Sequence, residues 1–107
     1  MLGKLSYHFQ SYEEALTYYD KAIKLNSNDS EFYALKDQTF FILKDYNEAI
    51  RSYSKAIQIK QKPRFFLNGH ITFNKLHKYH EAALDIESAL KMDPNNAWRL
   101  QRTFKDI

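Results

Sequence analysis

With 107 residues, no cysteine, two glycines and two prolines, the chain is sized for one small domain with little irregular loop, and it has no disulfide framework, thiolate nucleophile or cysteine-based metal site. No stretch approaches the roughly 20 apolar residues needed to span a bilayer, and Met1-Leu2-Gly3-Lys4-Leu5 lacks the apolar centre of a secretory signal, so a soluble, cytoplasmic protein is expected. A net charge of +3, from 16 basic and 13 acidic residues, leans toward acidic partners but falls short of a dedicated nucleic-acid surface.

In chain order, the pattern predicts helices near 2–9, 12–25, 30–43, 46–59, 64–76, 79–92 and 95–105. The 12–25 segment carries Tyr12, Ala15, Tyr19 and Ala22 at steps of three and four, which places them on one helix face. The same block returns as Tyr46, Ala49, Tyr53, Ala56 after 34 residues, and as Tyr79, Ala82, Ile86, Ala89 after a further 33. A period of that size is one two-helix unit. The alanines permit close backbone approach and the rings fill the groove beside them, while Glu13, Thr17, Lys21, Asn47, Arg51 and Lys55 take the solvated side. Asp29 or Ser30 is placed to cap the segment from 30, and Pro63 to open the next at its first turn. Asp93-Pro94-Asn95-Asn96 ends the last block, and Trp98, Leu100, Phe104 and Ile107 suit an amphipathic lid on the stack.

These residues resemble the tetratricopeptide repeat family, whose second helix carries Tyr-x-x-Ala, an aromatic and a further Ala, and whose first helix carries Leu-Gly between aromatics. Leu2-Gly3, Tyr33 with Phe40, Phe66 with Phe73, and the closing Pro94 supply the first-helix and terminal features. The resemblance implies an all-α solenoid of antiparallel helix hairpins wound as a right-handed superhelix. It implies a single domain over 1–107, with repeats at 1–29, 30–62 and 63–96 and a cap over 95–107. Repeat one starts at its Leu-Gly, which predicts a truncated first hairpin, and Lys36-Asp37 and the early Gly69 leave the register of the later first helices open by about one residue.

In that family the first helices line a concave groove for a partner peptide, and the function implied is that of a non-catalytic protein–protein adaptor. Carried over to this sequence, the groove candidates are Lys4, Tyr7 and His8, then Glu31, Ala34, Gln38 and Phe41, then Arg64, Leu67, Asn68, Ile71, Asn74 and Lys75. The basic members point to an acidic or carboxylate-terminated segment, with Tyr7, Phe41 and Ile71 as apolar anchors. Co-chaperone members of the family grip carboxylates with a clamp of Lys and Asn residues and an Arg. Here the clamp's Asn positions hold Lys4 and Leu35 and its last two hold Arg64 and Asn68, so only Arg64 keeps the required charge and clamp-type binding is not expected.

His77 and His80 fall in a turn without a third ligand, and the paired acids Glu13-Glu14 and Asp85 with Glu87 do not face one another, so neither metal, cofactor nor catalysis is expected. Lys60, Lys62 and Arg64 interleaved with Phe65 and Phe66 raise RNA binding by a helical repeat as an alternative, although nucleic acid is the less favoured partner. A second alternative is a self-associating assembly protein, a homo-oligomer joined through the N-terminal end where Tyr12, Leu16 and Tyr19 lack their usual cover.

Overall fold

The computed structural model describes residues 2–96, with side-chain surroundings for residues 11–95. The described residues form helices and no strand, and they gather into two compact units, Met1–Lys60 and Gln61–Ile107.

The first unit holds α1 (Leu2–Leu25), α2 (Ser30–Ile42) and α3 (Tyr46–Ile59). Asp29 caps α2 by accepting from the Glu31 N–H at 3.0 Å. At the far end of α2 the chain turns through Lys44, at φ 63°. The Lys44 N–H bonds to the Phe41 carbonyl and the Asp45 N–H to the Phe40 carbonyl, the paired bonds of a Schellman motif. Asp45 then starts α3, its carboxylate accepting from the Glu48 N–H at 3.4 Å. Ala49, Tyr53 and Ala56 of α3 are buried, as the Tyr-x-x-Ala pattern predicts. Thr39 is also buried, and its hydroxyl donates to the Leu35 carbonyl of its own helix, so a polar side chain enters the core satisfied. Lys36 ties α2 to α1 through Asp20 at 2.8 Å.

The second unit repeats this construction in α4 (Pro63–Lys75) and α5 (Tyr79–Met92), followed by a 3-10 turn over Pro94–Asn96. Lys62 takes the N-cap position and Pro63 the first turn, where a missing N–H costs nothing. His77 at φ 60° reproduces the Lys44 turn, with the His77 N–H bonded to the Asn74 carbonyl and the Lys78 N–H to the Phe73 carbonyl. Phe65, Phe66, Gly69, Thr72, Ala82 and Ala89 are buried. The Thr72 hydroxyl donates to Asn68, the counterpart of Thr39 to Leu35.

One sequence expectation is settled and two are corrected. The register left open by about one residue closes without a shift: α2 and α4 are both 13 residues long and begin 33 residues apart, so Gly69 sits one position early on a helix in register and His70, not Gly69, aligns with Asp37. Ala34, expected to face the groove, is buried. The predicted break between helices at 2–9 and 12–25 does not exist, because α1 runs unbroken through Gln10 and Ser11. Gln10 aligns with Lys44 and His77, but no glycine or proline stands there. A left-handed residue other than glycine costs about 1–2 kcal/mol, and a helix carrying no breaker continues unless packing offsets that cost. The predicted final helix lies outside the described residues beyond Asn96.

Candidate functional site

On α4, Arg64, Leu67, Asn68, Ile71 and Lys75 follow steps of three and four, so the helix gathers all five on one face. Phe65, Phe66, Gly69 and Thr72 fill the opposite side. The outer face is apolar in its middle, with Leu67 and Ile71 half-buried, and cationic at both ends, with Arg64 and Lys75 exposed. From Arg64 to Lys75 the axial distance is roughly 16 Å at 1.5 Å per residue. The Arg64 guanidinium carbon lies 5.0 Å from the centre of the Phe65 ring, a cation–π contact with a core residue.

Beneath this face, His70 sits at the seam with α5. Its Nδ1 is 2.7 Å from the Ala82 carbonyl oxygen and its Nε2 is 3.2 Å from the Asn74 amide nitrogen. A carbonyl only accepts, so the Nδ1–H donates and Nε2 accepts from Asn74, which fixes one neutral tautomer. Asn74, an expected groove residue, therefore has its amide engaged in holding the hairpin together.

On α2 the aligned face has other chemistry. Gln38 is exposed, and Phe41 is half-buried with its ring 5.4 Å from that of Tyr46 at 61°. Ile42, which the sequence reading passed over, aligns with Lys75 and is 53% exposed. The signal for it was present in the 33-residue offset. At the aligned seam position Asp37 is only 3% exposed, and burial pushes its carboxyl up to about 7. Lys4, Tyr7 and His8 fall at spacings of three and four on the N-terminal part of α1, within one continuous helix and not in the first arm of a hairpin. Their side-chain surroundings lie outside the described residues.

A separate concavity of about 450 Å³ lies along α2 and α3, lined by residues including Tyr33, Lys36, Ile50, Ser54 and Lys55. It shares no residue with the expected groove. Its charged wall is largely matched internally, since Lys36 pairs with Asp20 and Arg51 with Glu48 at 3.2 Å. Phe65 and Phe66, the rings required by the RNA-stacking alternative, are both inside the core. No described helix is long and apolar enough to cross a membrane.

The paired helices, the alanine seam and the repeated Schellman turn define a helical-hairpin repeat. The family model for the tetratricopeptide repeat matches residues 1–29 and 31–63, more than half of the chain, and the chain belongs to that family. It is 26% identical over 95 residues to the protein STIP1 homolog of Dictyostelium discoideum, covering 88% of this chain and 17% of that protein. It is 30% identical over 96 residues to the Hsp70-Hsp90 organising protein of Plasmodium falciparum, covering 89% of this chain and 38% of the other. Among solved structures, the Arabidopsis OM64 TPR domain superposes with a TM-score of 0.78 at 27% identity, over 97% of this chain and 88% of that domain. The chain therefore spans well under half the length of these two relatives and nearly all of a solved repeat domain.

Proposed function

We propose that this chain is a non-catalytic, cytoplasmic adaptor of the co-chaperone kind, which holds an acidic peptide segment of a partner protein against the outer face of α4. The observation that carries the reading is the α4 face, where Arg64 and Lys75 flank the apolar pair Leu67 and Ile71. An extended acidic segment laid along it places apolar side chains at the centre and carboxylates at both ends, the division of labour found in peptide grooves. The named roles of the Plasmodium relative, an organiser of two chaperones, favour a chaperone-associated partner. The Leu35 side chain cannot donate to a carboxylate, so recognition does not use the full clamp of Lys, Asn and Arg and rests on Arg64, Lys75 and the apolar centre.

The test is fluorescence anisotropy with a panel of labelled peptides, half rich in Asp and Glu with a free C-terminal carboxylate and half with the acids amidated. The acidic set binds and the amidated set does not, and Arg64→Ala with Lys75→Ala weakens binding about tenfold, in line with 1.4 kcal/mol lost from two partly screened charges. Unchanged affinity in that double variant, with unchanged circular dichroism, refutes the assignment.

A further inference from the structure

In α3 and α5 the two alanines of the repeated block are sealed by the first helix of the same hairpin. Ala49 and Ala56 are 0% and 1% exposed, and Ala82 and Ala89 are 1% and 0% exposed. Tyr53, between the first pair, is 4% exposed. The same positions on α1 are Ala15, Tyr19 and Ala22, and all three are partly exposed, as are Tyr12 and Leu16 beside them. One motif thus occurs three times, and only in its first copy is the seat for a first helix open.

The segment whose place in the 34-residue period corresponds to that first helix is Leu2–Phe9. It cannot reach the seat on its own α1, because it continues coaxially beyond Ser11, with Leu2 roughly 13 Å further along the axis. The segment that the period assigns to the open seat and the seat itself are therefore present in every copy of the chain but unable to meet within one copy. We propose that two copies associate by reciprocal exchange, each laying the N-terminal part of its α1 on the Tyr12, Ala15, Leu16, Tyr19 face of the other, with Gln10 as the residue that sets the choice between exchange and a folded-back hairpin. The arrangement is isologous and closes as a twofold dimer, so it does not grow into filaments. Burying an apolar face otherwise left in water drives it.

The chain contains no cysteine, so an introduced pair reports without background. Gly3 and Ala15 correspond in the period to His70 and Ala82, which touch in the second hairpin. The experiment oxidises Gly3→Cys/Ala15→Cys with copper–phenanthroline and reads a non-reducing gel, beside multi-angle light scattering of the unmodified chain from low to high micromolar concentration. The expected result is a concentration-dependent dimer by scattering and cross-linked dimer on the gel. Introducing Gln10→Gly, which supplies the left-handed turn residue without its steric cost, is expected to shift the protein toward monomer with the cross-link inside one chain. A strict monomer at all concentrations, a dimer without interchain cross-link, or a monomer–dimer balance indifferent to Gln10→Gly overturns the proposal.

Discussion

Asp37 stands where α4 carries His70, at a seam that α4 solves with an Nδ1–H donated to the facing carbonyl. A buried carboxylate cannot make that bond, but a protonated carboxyl can, which agrees with a carboxyl pushed by burial from 3.8 to about 7. The folded-state value lies above the unfolded one, so the folded chain binds more protons between them. Its contribution to stability is complete below 3.8 and is lost as pH rises through about 7. A displacement of that size amounts to about 4 kcal/mol in full, of which about 2–3 kcal/mol falls between pH 5 and pH 8. That is a large share of the roughly 5–15 kcal/mol that holds a domain together. Asp37→Asn removes the titration while keeping the shape. Urea unfolding followed by circular dichroism at pH 5, 6, 7 and 8 should show the original chain losing about 2–3 kcal/mol more than the variant across that window. Taking the difference cancels every other group that titrates. A difference that stays constant with pH, or that grows in favour of the original chain as pH rises, refutes the account of Asp37 as a buried neutral acid.

Other outcomes follow from local geometry. Lys78 precedes α5 without a side-chain cap, where Asp45 caps α3, so Lys78→Asp should raise unfolding free energy by about 1 kcal/mol in urea titration. Ala56→Leu and Ala89→Leu force a larger side chain into sealed seams and should each cost about 1–3 kcal/mol, whereas Ala22→Leu, at a partly exposed position, should cost less than half as much by the same assay.

The sequence made α3 and α5 legible to the residue, because Tyr46 and Tyr79 each open an apolar stripe that leaves one face no alternative to burial. What it concealed were the places where local preference and packing disagree. Lys44 and His77 adopt positive φ although neither is glycine, and the cost is accepted because each turn lets a complete first helix pack on the second. At Gln10 the same turn was expected from the same spacing, yet the helix continues. The repeat pattern records where a turn can be made, and it does not record whether the packing that stabilises the turn is present. The face of α2 was misjudged for a related reason: Ala34 is small enough to be read as groove lining but is enclosed by the hairpin, while Ile42, which the groove reading left out, is exposed.

The two first helices show why a ligand face resists this kind of reading and how it can be tested. The closest-packed seam positions recur, Thr39 with Thr72, Ala49 with Ala82 and Ala56 with Ala89, since close packing admits few side chains there, although Asp37 and His70 differ. Face positions change class at the same offset: Glu31 against Arg64, Gln38 against Ile71, Ile42 against Lys75. These positions lie outside the sealed seam, so packing restricts them less and their differences can serve recognition. Replacing Glu31→Arg and Ile42→Lys copies the cationic ends of the α4 face onto α2. Stability should then change by no more than about 0.5 kcal/mol at the exposed Ile42 and fall by about 1 kcal/mol at Glu31, the acid in the first turn of α2. Affinity for the acidic peptide panel should rise and become more sensitive to salt, because added cations act through a screened field. Measured by anisotropy at low and high ionic strength beside thermal melts, a large loss of stability would mean that the α2 face is structural. An unchanged affinity would mean that the peptide is held on α4 alone.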